Sequence, residues 1–197
     1  MVRQAELQQL IASGNDAERS GEWDDALSQY EAALFEVSAD GAFPRVAEVL
    51  RAIGRLHVER GDYDKAAEAF DQSLAKALAA ADNTQIAASL NCRGVVEQFR
   101  GNVDAARELY VRASALAEEM GDARLRALVE QNLGTLATMR GDFDRALEHG
   151  QTALAMFRRI GHDHATAGVL NNLGILHLDT QEYGHAELSF RSSLALA

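Results

Sequence analysis

Cysteine, proline, aromatic residues and basic charge are all scarce in this chain of 197 residues. Cys92 is the only cysteine, so neither an internal disulfide nor a cysteine-built zinc cage is possible, and a reducing compartment suits the chain. Pro44 is the only proline and aromatics make up 6% of the residues, while Ala and Leu abound. That balance excludes sheet-rich architectures and favours helices packed closely through small residues. Acidic side chains outnumber basic ones, 30 to 19, for a formal charge of -11. A field of that sign repels phosphate backbones and anionic headgroups, so neither nucleic acid nor a membrane surface is an expected partner. Long apolar runs are missing too. Nothing approaches the roughly 20 residues needed to cross a bilayer. Met1 to Gly14, with Arg3 and Glu6 and no long apolar core, does not read as a signal peptide. A cytoplasmic location is expected.

What the chain does have is an internal period. Gly14, Gly54, Gly94, Gly134 and Gly174 are spaced 40 residues apart. A second column runs Gly21, Gly61, Gly101, Gly141 and Gln181, and a third runs Ala26, Ala66, Ala106, Ala146 and Ala186. Large apolar residues follow the same register at Trp23, Tyr63, Val103, Phe143 and Tyr183. They do so again at Tyr30, Phe70, Tyr110 and Phe190, where repeat 4 has Gly150 instead, a gap expected to soften the array locally. Apolar residues recur at three-to-four spacing on either side of the second glycine, which predicts one helical hairpin per repeat. The second-column glycines suit the residue just past a helix C-terminus, where positive φ costs glycine little. The polar residues after them, Glu22, Asp62, Asn102, Asp142 and Glu182, then Asp24, Asp64, Asp104 and Asp144, suit the next helix's N-terminus by capping or by the macrodipole. A first-column glycine inside helix A and an alanine inside helix B would let the two helices approach closely. Turns between repeats are expected at Gly41, Ala81-Asp82, Gly121-Asp122 and Gly161-His162.

The predicted A helices lie at about 3–20, 44–60, 84–100, 123–140 and 163–180, and the B helices at about 23–39, 63–80, 103–120, 143–160 and 183–197. Together they form a single array over 1–197, with repeats at about 3–40, 44–81, 84–121, 123–161 and 163–197.

These columns resemble the tetratricopeptide repeat, whose signature includes Leu-Gly and then Ala-x3-Phe one helix later. Leu133-Gly134 and Leu173-Gly174 carry the first element; Ala26 to Tyr30, Ala66 to Phe70, Ala106 to Tyr110 and Ala186 to Phe190 carry the second. The usual unit is about 34 residues long. A 40-residue unit is similar to the repeats of kinesin light chains, Pins-type adaptors and bacterial peptide-sensing regulators, all of which bind peptide segments. The resemblance implies an all-α solenoid of five helix-turn-helix hairpins in a right-handed superhelix, with a concave wall made mainly of A helices. The groove-facing set it implies includes Asn15, Arg51, Arg55, Asn91, Gln131, Asn132, Thr135, Asn171 and Asn172, with Cys92 also facing the groove. Carboxamides there would match both the N–H and the C=O of an extended peptide. Asn171-Asn172-Leu173-Gly174 looks like the kinesin-light-chain and Pins-type pattern, in which the asparagine two before the glycine grips ligand backbone. Polar residues are also what any exposed helix face contains.

Arg51 and Arg55, one turn apart, could fork onto a ligand carboxylate or pair with Glu48 and Glu59. The lysines with which the chaperone-binding subclass clamps a C-terminal carboxylate are absent, so that ligand is not expected. His162 and His164 flank Asp163 without a fourth-ligand spacing, and His57 and His177 stand where the family packs an aromatic, so no metal site and no cofactor are expected. No nucleophile elbow, phosphate-cradling loop or carboxylate pair stands outside the repeat register, which argues against an enzyme. Nothing basic adjoins Cys92 except Arg93, so packing explains it better than reactivity.

Repeat arrays need a polar cap. None follows helix 5B, whose Leu188, Phe190 and Leu194 would meet a further repeat. The expectation is therefore a fragment of a longer protein, or a homodimer through that face. Two functions fit: a scaffold binding a protein or peptide segment in the groove, and a sensor module of a larger signalling or transcription-regulatory protein.

Overall fold

The structure, a computed structural model, describes residues 2–39 and 43–196; the turn expected at Gly41 lies outside them. Among the described residues ten α-helices follow one another: α1 (Val2–Ser20), α2 (Trp23–Ala39), α3 (Phe43–Glu59), α4 (Tyr63–Ala79), α5 (Asn83–Phe99), α6 (Val103–Glu119), α7 (Ala123–Met139), α8 (Phe143–Arg159), α9 (Asp163–Asp179) and α10 (Tyr183–Leu194). They make five hairpins, as the glycine columns predict. The difference lies at the end, where α10 stops at Leu194 instead of running to 197.

The helices end alike because their turns share one set of hydrogen bonds. At Gly61 the chain turns left-handed (φ 75°); its N–H donates to the Val58 carbonyl at 2.9 Å and the Asp62 N–H to the His57 carbonyl at 2.8 Å. This crossed pair satisfies two carbonyls that the helix terminus would otherwise leave bare. The same pair closes the turns at Gly21, Gly101, Gly121, Gly141 and Gly161. Ala81 (φ 50°) and Gln181 (φ 62°) adopt the conformation without being glycine, at a cost of about 1–2 kcal/mol each.

The residues after these turns sit at helix N-termini as expected, but few of them cap through the side chain. Asp142 accepts from the Arg145 N–H at 3.3 Å, as a cap should, but Asp62 and Glu182 make no side-chain cap. Glu182 reaches back to His177 Nδ1 at 2.6 Å, and Asn102 donates back to Glu97 at 2.7 Å. Side-chain caps sit instead at Asp82, Asp122 and His162, between repeats. Asp24, Asp64, Asp104 and Asp144 all lie in first turns, where the macrodipole favours them.

The chain forms two compact units, 1–109 and 110–197. In the first, α1 packs on α2, α2 on α3, α3 on α4 and α5, and α4 on α5. Leu7, Tyr30, Val37, Val49, Leu50 and Leu56 form one core cluster, and Ala66, Phe70 and Val96 another. In the second, α7 packs on α8 and α9, α8 on α9, and α9 on α10 around Ala153, Phe157, Val169 and Leu176. The alanine column is buried throughout, from Ala26 at 0% exposure to Ala146 at 3%. Seven residues further on the column is again Ala, or Ser: Ser73 and Ser193 donate to the carbonyls of Ala47 and Ala167, each 26 residues earlier, at 2.7 and 2.8 Å.

Three of the first-column glycines, Gly14, Gly54 and Gly174, meet an aromatic ring rather than the facing alanine. A Cβ added at Gly14 or Gly174 would stand 2.6 Å from Cε1 of Tyr30 or Phe190, and one at Gly54 closer still to Phe70. Phe190 therefore packs within its own hairpin, while Leu188 and Leu194 are exposed.

Candidate functional site

In the first unit, Asn15 belongs to a polar chain. The Tyr30 hydroxyl lies 2.7 Å from Asn15 Oδ1 and 2.8 Å from Glu18 Oε2, and Arg55 stands 3.6 Å from that Glu18 oxygen. Burial, then the hydrogen bond to Glu18, pushes the Tyr30 phenol well above its usual range, which keeps it protonated. Arg55 thus pairs with Glu18 on α1 instead of with Glu59 on its own helix. Arg51 is half-buried, its Nη1 enclosed without a hydrogen-bond partner among the described residues, and burial pulls its pKa down. Asn91 is half-buried on α5. Beside it, Cys92 packs with Val58 and Tyr63 against the Ala66 and Phe70 cluster. Burial raises its thiol pKa against the opposing pull of Arg51 and Arg55, so it is a packed thiol and not an activated one.

In the second unit three of the expected residues, Gln131, Thr135 and Asn172, line a single cavity of about 240 Å³ among α7, α8 and α9. Asn132 and Asn171 do not line it; Asn132 is half-buried and Asn171 exposed. The inner lining is apolar and buried: Ala146, Val169, Leu173 and Leu176. The outer lining includes Met139 and Ile175, both about half exposed. Thr135 and Thr138 donate to the carbonyls of Gln131 and Gly134 at 3.2 and 3.1 Å, so their donors are already used. The side-chain amides of Gln131 and Asn172 make no hydrogen bond among the described residues and are free for a ligand. The vacancy at residue 150 in the aromatic column was the sequence signal for this cavity. It reads as softness until the three helices are seen around it.

A second grouping comes from the turn at Gln181. It sets His177 Nδ1 2.6 Å and His185 Nδ1 3.7 Å from Glu182 Oε2, three potential cation ligands within 4.8 Å of one another. The spacing of 177, 182 and 185 was readable, but only the left-handed turn shows that it brings the side chains together. The close His162 and His164 pair does not form such a group: His162 caps α9 by accepting from the Ala165 N–H at 3.3 Å. No helix among the described residues is long and apolar enough to cross a membrane.

Two tetratricopeptide-repeat models match the chain, one at residues 11–83 and the other at 85–159 and again at 127–197. No curated protein matches it. Among solved structures, BtubC from P. vanneervenii is 20% identical with a TM-score of 0.73, the match covering 96% of this chain and 78% of that one. A Rap protein complexed with competence and sporulation factor is 14% identical with a TM-score of 0.88, covering 98% and 54%. The Rap conjugation gene regulator of plasmid pLS20, in complex with the Phr* peptide, is 16% identical with a TM-score of 0.84, covering 95% and 52%. The chain spans about half the length of these two Rap proteins. At such identities the likeness is one of fold.

Proposed function

Because the chain belongs to the tetratricopeptide-repeat family, we propose that it is a non-enzymatic scaffold holding an extended peptide segment of a partner protein along its A-helix residues. The observation that carries this reading is the pair of unengaged amides, Gln131 on α7 and Asn172 on α9, which line one open cavity from successive hairpins. Each offers a donor and an acceptor to a peptide main chain, and two on neighbouring hairpins can hold successive peptide groups. Asn132 and Asn171 are their neighbours on the same two helices. In the first unit Asn15, Arg51, Arg55 and Asn91 serve the same purpose, Arg51 with a buried nitrogen that still lacks an acceptor. A net charge of -11 favours a basic partner segment over nucleic acid. The single packed thiol suits a cytoplasmic setting.

Peptides selected from a random library on the intact chain are expected to lose binding when Gln131→Leu and Asn172→Leu are combined, with the melting temperature unchanged. Undiminished binding would overturn the scaffold reading.

A second reading, a regulatory module of a larger protein, is supported by the likeness to two Rap proteins, one of them a conjugation gene regulator and both solved with a bound factor or peptide. An effector domain encoded in the same reading frame would favour it. Exposed Leu188 and Leu194 on α10 support self-association through that helix; sedimentation as a monomer at every concentration would exclude it.

A further inference from the structure

We propose that the cavity among α7, α8 and α9 receives an aromatic ring, the Phe or Tyr side chain of the bound peptide, in the place where this chain lacks its own ring at residue 150. The proposal rests on the scaffold reading and names what the second unit's part of that site selects.

Three hairpins show what normally fills the space above the helix-A glycine. Tyr30 covers Gly14, Phe70 covers Gly54 and Phe190 covers Gly174, each so closely that a Cβ on the glycine would collide with the ring. At Gly134 the nearest atoms to an added Cβ are the Ala146 carbonyl oxygen and the His149 Cβ, both at 3.4 Å, and no ring is among them. The helix register is unchanged, so the ring's place is left open. Leu173 leans towards Gly150, where an added Cβ would come within 2.6 Å of its Cδ2, yet about 240 Å³ stays unfilled. An apolar cavity of about 150 Å³ is enough to bind benzene.

The lining selects the ligand's chemistry. None of the residues lining the cavity carries a charge, which disfavours a Lys, Arg, Asp or Glu side chain there. The buried part is Ala, Val and Leu, and the thioether of half-exposed Met139 offers a polarizable edge contact to a ring. Gln131 and Asn172 line the same cavity, so a peptide gripped by their amides passes over it and can drop one side chain in.

Toluene, the phenylalanine side chain as a free molecule, is the direct probe. Added to the intact chain, it is expected to shift the methyl resonances of Val169, Leu173 and Leu176. The shifts should vanish in Gly150→Phe, which refills the space from α8. They should vanish equally in Gly134→Leu, which refills it from α7 at a position where a Cβ meets only ordinary contacts, so the test survives if one variant fails to fold. Library-selected peptides are then expected to carry a Phe or Tyr whose change to Ala weakens binding about ten- to hundredfold on the wild-type chain and has no effect on either filled variant. Absence of the toluene shifts overturns the proposal. So do selected peptides indifferent to both filled variants, a result that leaves the scaffold reading standing. Toluene shifts with no selectable peptide would sink the scaffold reading, and with it a peptide as the source of the ring.

Discussion

The α3–α4 and α7–α8 hairpins are built to one plan and differ at its centre. In the first, Phe70, 1% exposed, lies over Gly54; in the second, Gly150 replaces the ring and no ring covers Gly134. The backbone turns, the buried alanine and the 17-residue helices are the same in both. The helices therefore come together without the ring. The ring, and not the approach of the two helices, is what demands glycine on helix A. At Gly14, Gly54 and Gly174 this takes the place of the expectation that these glycines let a facing alanine come near; at Gly134 the facing Ala146 carbonyl oxygen is among the nearest atoms to an added Cβ, at 3.4 Å, an ordinary contact.

The largest test copies one hairpin into the other. Phe70→Gly should cost about 3–5 kcal/mol for the lost buried ring and about 1 kcal/mol more for a glycine within a helix, read as a lower urea midpoint with an unchanged slope. A loss below about 1 kcal/mol would mean that the ring is dispensable in both hairpins. Next, one substitution should act with opposite signs. Gly54→Ala should destabilise by about 1–3 kcal/mol through overpacking against Phe70, whereas Gly134→Ala should stabilise by up to about 1 kcal/mol through helix propensity. The same sign at both sites would dissolve the distinction. Smaller again is a difference in local opening: amides of α8 around Gly150 should exchange faster than those of α4 around Phe70, and equal protection would show that the hollow does not loosen its helix.

The smallest effect concerns His57 on α3, whose place in α7 is taken by Ala137. Burial, then Lys65, lowers the His57 pKa, so the native state prefers the neutral ring. The unfolded chain takes up this proton at about pH 6.5, before the native one does. His57's contribution is therefore full above that pH and lost as pH falls through the lowered native value. His57→Ala should flatten that part of the stability curve, and an unchanged curve would place the titrating group elsewhere.

Much of this was legible beforehand, for a physical reason. Glycine, alanine and a large apolar residue at fixed offsets mark a turn, a contact and a core position, so the helix ends fell within a residue or so of their places from α2 to α9. Side-chain direction was not legible. Glu182 and Asn102 carry cap-forming chemistry and sit at cap positions, but a partner on the preceding helix, His177 or Glu97, draws them backward. Arg55 likewise finds Glu18 on another helix, which no local spacing announces. For the candidate site, residue types named the A-helix amides. Only packing could show that Gln131, Thr135 and Asn172 share one hollow while Asn171 stands apart, and that the gap at Gly150 stays open instead of closing.

From α3 onward every link between helices is three residues long, and each helix from α3 to α9 has 17 residues. Such a chain has no slack in which to hide an error of counting. One residue gained inside a helix would swing every later side chain by about 100° and turn buried alanines to water. A whole unit of 40 residues, gained or lost, restores the phase. Descent by duplication of entire hairpins is the route this geometry leaves open, and a change like that at residue 150 can then give one copy a property its siblings lack.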